Sequence, residues 1–178
     1  MITIISTCKY KLSEEEFVRP IVEIVKGCGL DYRILHYYDK KVDESSKIII
    51  CGTALRDFDY LSYIDNFKWL VDYEGEVLGI CAGYQILALV YSNRLEKIKK
   101  IGVYDVVVVK DNPLIGKGKI RSYFLHTYAL KDLNDKLECL ALQDDEICMF
   151  KVKDKNFYGV SFYPEVLNRE IILNFLLL

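Results

Sequence analysis

The sequence predicts an α/β fold, a three-layer sandwich with a mostly parallel central sheet, flanking helices and an antiparallel extension. Three observations predict it. In the first half, short β-branched runs alternate with helical patterns, as βαβ units require. In the second half, strand-like runs follow one another with turn signals between them, as hairpins do. Between the halves, an apolar strand pattern at 76–80 passes at once into an apolar helical pattern beginning at Ala82.

The elements follow in order. Residues 2–6, 32–37, 47–51 and 76–80 read as strands of the parallel part. Between the first two, Ser13 and Glu16 have capping-box spacing, and Phe17, Ile21, Ile24 and Val25 recur at helical spacing before Gly27 and Gly29. Pro20 lies inside that pattern, either as a kink or as the mark of a later true start. A second helical pattern spans 57–72, with Leu61, Ile64, Trp69 and Leu70 on or near one face. Residues 103–109, 119–125, 138–142, 147–152 and 157–162 read as the later strands, with DNPLIGKG among the turns. A closing helix is expected over 168–177, with Asn168 as N-cap and Ile171, Ile172, Phe175 and Leu176 buried.

Composition narrows the function classes. The 178 residues suit one domain over 1–178, with no internal repeat or linker. Hydrophobic residues make up 52% and charged residues 28%, and the net charge of -2 suggests no nucleic-acid partner. The basic cluster at 94–100 reads as a solvated helix face. No basic leader precedes MITIIS, and no apolar run approaches the ~20 residues of a membrane span, so a cytoplasmic protein without membrane association is expected. Six cysteines occur, none in a CxxC or Cys/His pair at metal-ligand spacing, so neither a metal nor another cofactor is expected. Most of them read as reduced, packed thiols.

Only Cys81 has a context that suggests chemistry. It sits in Gly79-Ile-Cys-Ala-Gly83, with the strand before it and the helix after it. Glycines on both sides allow the tight turn of a nucleophile elbow. A thiol there would lie at a helix N-terminus, whose dipole and free N–H groups favour a thiolate and can hold an oxyanion. Cys81 is therefore expected to be exposed and the most reactive of the six thiols.

The segment LGICAGYQILA resembles the nucleophile motif of class I glutamine amidotransferases, closest to glutaminase subunits of GMP synthase type. This resemblance implies a flavodoxin-like arrangement of the sheet with the site at the carboxyl ends of the parallel strands. It also implies glutamine or a related small amide as ligand, and a separate synthase subunit to receive ammonia. Ile48-Ile-Ile-Cys-Gly-Thr-Ala54 falls where the family has a Gly-Gly-Pro turn, leaving Gly52 and Thr53 with the Ala82 and Gly83 backbone around the oxyanion. Gln85 and His126 would lie near the substrate. Gly159-Val-Ser-Phe-Tyr-Pro-Glu165 is similar to the segment carrying the catalytic His and Glu; Glu165 is present, and Tyr163 stands in the His position.

That replacement is chemically large. Imidazole titrates near neutrality and can take the thiol proton and return it to ammonia. A phenol, with a pKa of ~10, is a very weak base at pH 7. Glutamine hydrolysis is therefore expected to be very low. Of the two histidines, His126 is the possible substitute base, although a pocket-wall role is the favoured reading, and His36 reads as structural. Three readings stay open: a slow glutaminase subunit, a non-catalytic relative that binds glutamine or a partner, and a thiol hydrolase for another small amide or γ-glutamyl compound.

Overall fold

The computed structural model describes residues 1–39 and 47–178. Among them the chain forms one nine-stranded sheet. Its strands are β1 (Ile2–Ser6), β2 (Tyr32–His36), β3 (Lys47–Ile50), β4 (Glu76–Ile80), β5 (Glu96–Val108), β6 (Gly118–Ala129), β7 (Leu137–Gln143), β8 (Glu146–Val152) and β9 (Phe157–Val160). They run in the order β2-β1-β3-β4-β9-β8-β7-β5-β6. Pairing is parallel from β2 through β9 and antiparallel from β9 through β6. The expected mixed α/β sheet is therefore present, with Ile48, Ile49 and Ile50 of β3 fully buried, as strands covered on both faces require.

The helices are α1 (Glu14–Phe17), α2 (Arg19–Gly27), α3 (Ala82–Val90) and α4 (Glu170–Leu177). Two apolar clusters form the core: Ile21, Ile24 and Val25 of α2 with Ile171, Ile172 and Phe175 of α4 belong to one, and Ile86 and Leu87 of α3 with Phe67 and Leu70 belong to the other.

Several local expectations need correction. Pro20 marks a true start, since it occupies the first turn of α2, where its missing N–H costs no helical bond. Ser13 forms no capping box; it ends a 3-10 turn (Lys11–Ser13) in helical conformation and makes no side-chain cap bond. The stretch expected as an α-helix over 57–72 is a 3-10 segment, Asp59–Val71, irregular at Tyr63. Its three-residue period puts Leu61, Ile64, Phe67 and Leu70 in one row, of which Phe67 and Leu70 reach the core while Leu61 and Ile64, like Trp69 off that row, are only half-buried.

The largest correction is at 94–100. This stretch is not a solvated helix face but leads into β5, which begins at Glu96 rather than 103. Burial, not the order of apolar and charged residues, alternates with period two along 96–100, and it turns Lys100 into the interior beside a register shift between Lys97 and Lys100. At the other end, Asn168 does not cap α4. It adopts φ 99°, which Asn tolerates better than most residues, and its Nδ2 donates to Arg121 O and Ser122 Oγ.

Candidate functional site

β4 aims its carboxyl end directly into α3, and Cys81 is the single residue between them, at φ 48° and ψ -95°. This is a strained conformation for a residue with a side chain, of the kind held only where the surroundings over-determine it. The surroundings are two backbone contacts. A Cβ on Gly83 would lie 2.4 Å from Ile50 O, and one on Gly79 would lie 2.5 Å from Gly83 C. Only glycine lets α3 seat this closely on β3 and β4. The elbow expected from the sequence is thus present in its backbone.

The thiol is not exposed as expected. Cys81 is 5% exposed, and its Sγ donates to Leu125 O at 3.5 Å. Burial, with a smaller contribution from the Glu165 carboxylate, pushes the thiol up to about 12, against the nearby Tyr163 hydroxyl and Ala82 N–H, which favour the thiolate. Desolvation of the anion outweighs the helix N-terminus here. Cys28 is the exposed cysteine among the six.

Tyr163 closes the site from the β9 side. Its N–H donates to Tyr123 O (2.9 Å) and its hydroxyl donates to Thr53 O (2.9 Å). The ring lies over Gly52, where a Cβ would come within 2.5 Å of Tyr163 Cε1, and packs against Phe17 at 5.5 Å between centroids. Burial raises its phenol well above the ordinary range, which removes what little acidity could help proton transfer at neutral pH. Glu165 does not pair with Tyr163. Its Oε2 is enclosed and has no hydrogen-bond partner, and burial raises the carboxyl to about 7.

The remaining expected residues gather around the same sulfur, with their polar atoms already engaged. Thr53 Oγ1 donates to Asp57 Oδ2 (2.8 Å), which also accepts from Lys9 N–H (2.8 Å). Gln85 Oε1 accepts from the Tyr60 hydroxyl, and its Nε2 donates to Tyr128 O (3.1 Å), so its amide is spent within the protein. His126 has two partners of its own. Since Ile98 O can only accept, the ring nitrogen 2.9 Å from it, Nδ1, carries the proton. Nε2 lies 3.0 Å from Glu146 Oε1. The ring thus turns both nitrogens away from the thiol, Nδ1 in a hydrogen bond and Nε2 beside a carboxylate oxygen with which it forms none. His36, expected to be structural, has Nε2 2.9 Å from Glu14 Oε1.

The space left beside Cys81 is about 10 Å³, lined by Thr53, Tyr60, Cys81, Gln85, Leu125 and His126 among others. That is room for about one water molecule. Sequence reasoning missed Tyr60, Asp57 and the Leu125 carbonyl, which have no local motif. It also missed Glu146, which reaches His126 only through the fold.

The sequence profile described as glutamine amidotransferase class-I matches residues 13–175. The chain belongs to the class I glutamine amidotransferase family. Among curated relatives, the GMP synthase of Campylobacter jejuni is 29% identical over 143 residues, which cover 78% of this chain and 28% of that enzyme. A glutamine-hydrolyzing GMP synthase subunit from Methanosphaera stadtmanae is 33% identical over 121 residues, 65% of each chain. This family member thus spans little more than a quarter of the first enzyme and about two thirds of the second. A Thermoplasma acidophilum structure described as a GMP synthase subunit protein superposes with a TM-score of 0.83 at 22% identity, covering 98% of this chain and 92% of that one. It shares the fold. No helix among the described residues is long and apolar enough to cross a membrane, and no group of three or more His, Cys, Asp or Glu among them could hold a metal ion.

Proposed function

We propose that the chain is a glutaminase-type amidotransferase domain with an altered triad, Cys81, Tyr163 and Glu165, whose own glutamine hydrolysis is very low. The observation that carries this reading is the pairing of an intact elbow with a phenol. Cys81 stands at a strand-to-helix turn with the Ala82 N–H beside its sulfur, while the group opposite it is the Tyr163 hydroxyl, bonded to Thr53 O. Such an elbow can present a nucleophile and hold an oxyanion, but a buried phenol cannot accept the thiol proton at neutral pH. Gly52, Thr53, Ala82 and Gly83 would supply the oxyanion surroundings, with Gln85 and His126 in the wall. The names of the relatives suggest that any ammonia passes to a separate synthase subunit, and a cytoplasmic setting fits their metabolic role.

A second reading, a non-catalytic relative that binds glutamine or a partner, is favoured by the water-sized space beside the thiol. Glutamine could enter only if the wall at 125–127 or the facing segment at 53–60 moved. The third, a thiol hydrolase acting on another small amide or γ-glutamyl compound, has no observation of its own in its favour.

The test is ammonia release from glutamine by the unmodified protein, Tyr163→His and Tyr163→His with Cys81→Ala. The altered-triad reading expects near-background release from the first, a rise of about 10² in the second and loss of that rise in the third. Robust release from the unmodified protein that survives Tyr163→Phe would contradict it. No rise in Tyr163→His, with the fold intact, would favour the non-catalytic relative.

A further inference from the structure

A buried charged cluster lies just outside the thiol site. Lys100 of β5, His126 of β6 and Glu146 at the start of β8 are 9%, 2% and 3% exposed. Lys100 Nζ donates to Glu146 Oε2 and to Gln143 Oε1, and lies 5.0 Å and 4.9 Å from the ring centroids of Tyr104 and Phe124. The other carboxylate oxygen, Glu146 Oε1, faces His126 Nε2. Between them, Lys100 and His126 hold the Glu146 carboxyl below its usual range despite burial.

In the sheet order β8 and β6 are separated by β7 and β5, so the cluster joins strands that are not hydrogen-bonded neighbours. They approach because the sheet curls back on itself, as the isolated bridge between Leu130 and Ile147 marks, with Ile147 N–H donating to Leu130 O at 2.8 Å. His126 sits at the centre of the wall this closure creates. Its neighbours on β6 make three of the wall's bonds to the site: Leu125 O accepts from Cys81 Sγ, Thr127 Oγ1 donates to Leu55 O, and Tyr128 O accepts from Gln85 Nε2. A wall one residue out of register would lose all three.

We propose that Lys100, Glu146 and His126 form a charged brace that sets the position of the β6 wall against Cys81, making Lys100 and Glu146 positioning residues for the thiol site. The energetics favour a geometric role over a merely cohesive one. Apolar side chains of equal volume would hold a core at least as well, because burying charges costs several kcal/mol per ion by general experience. What the Lys100–Glu146 ion pair adds is direction. The carboxylate accepts from the lysine on one side and faces the imidazole at 3.0 Å on the other, whereas an apolar cluster would let the curled end of β6 slide. The other ionisable groups around the cluster are Cys148, whose Sγ bonds Glu146 O, Asp145, and Cys81 itself across the small cavity. The inference rests on Cys81 being the thiol of the site, but not on any turnover of glutamine.

The test reads access to Cys81 by timed alkylation with iodoacetamide and peptide mapping, together with the ring ¹H–¹⁵N signals of His126, with His36 as internal reference. Glu146→Gln and Lys100→Met should each speed Cys81 alkylation about tenfold or more and move the His126 ring signals, leaving those of His36 in place. Lys100→Arg, which keeps the charge, should stay within roughly twofold of the parent. Ile24→Ala, a core truncation on α2, serves as the stability-matched control and should change the rate far less at equal melting temperature. Should Glu146→Gln fail to fold, Lys100→Met decides alone, since methionine can fill the gap between Tyr104 and Phe124. The proposal is overturned if the brace variants speed alkylation no more than Ile24→Ala does, or if the His126 signals do not move. Ammonia is not the readout, so the experiment decides the matter even in a protein that never hydrolyses glutamine.

Discussion

The elbow at 79–83 and the segment at 160–165 face each other across one sulfur, and they are held by different physics. The elbow is a backbone device: Gly79 and Gly83 leave no room for a Cβ, which would lie 2.5 Å and 2.4 Å from main-chain atoms, and Cys81 is held at a strained φ. Position 163 is a side-chain choice. The fold accepts a tyrosine there because its ring fills the space over Gly52 and its hydroxyl finds Thr53 O. The comparison teaches that the two sides of this sulfur are held independently: one by the close approach of main chain to main chain, the other by a side chain that fills space and finds an acceptor.

The largest effect that could break this comparison is expected at the elbow. Gly83→Val would drive side-chain atoms into Ile50 O and should cost about 4 kcal/mol or more, seen as loss of the cooperative melt or a fall of many degrees in Tm. A stable Gly83→Val variant would mean that α3 can lift away from β3, and the elbow would not be the rigid half.

A smaller effect is expected from Glu165. Its folded carboxyl is raised from 4.5 to about 7, so between those values the native state binds more protons than the unfolded chain. The stability this contributes is fully present below pH 4.5 and is lost as the pH rises through about 7, on the order of 3 kcal/mol in total. Chemical denaturation at pH 5 and pH 8 should show the decline, and Glu165→Gln should remove most of it. A decline of equal size in Glu165→Gln would assign it to other groups.

How much of this was legible in the sequence follows the same division. The parallel strands and the strand-to-helix turn at Cys81 are local patterns, readable because backbone geometry constrains the residues beside it. The thiol's burial was not readable, because the Leu125 carbonyl and the Tyr163 ring reach Cys81 from other strands. Lys100 was misread because a period-two strand with lysines on its outer face looks, over seven residues, like a charged helix. The capping assignments at Ser13 and Asn168 failed for a related reason: the first side chain lies in a 3-10 turn and the second is drawn to β6.

The smallest of the expected effects sharpens the account of the pocket wall. Tyr60→Phe removes the donor to Gln85 Oε1 and leaves that oxygen buried without a partner, at a cost of about 1–2 kcal/mol in urea unfolding. No change would show that Gln85 turns to another donor and is less firmly held than its two bonds suggest.

The central claim is that an intact elbow carries a thiol shut in by Tyr163, and comparative alkylation of the native protein tests it most directly. Iodoacetamide labelling at pH 8 with peptide mapping should mark Cys28 first and Cys81 slowly, since Cys28 is exposed while burial lifts Cys81 to about 12. In Tyr163→Ala the Cys81 rate should rise by about tenfold or more, with the Cys28 rate unchanged. Labelling of Cys81 as fast as Cys28 in the unmodified protein, or no response of Cys81 to Tyr163→Ala, would contradict the account.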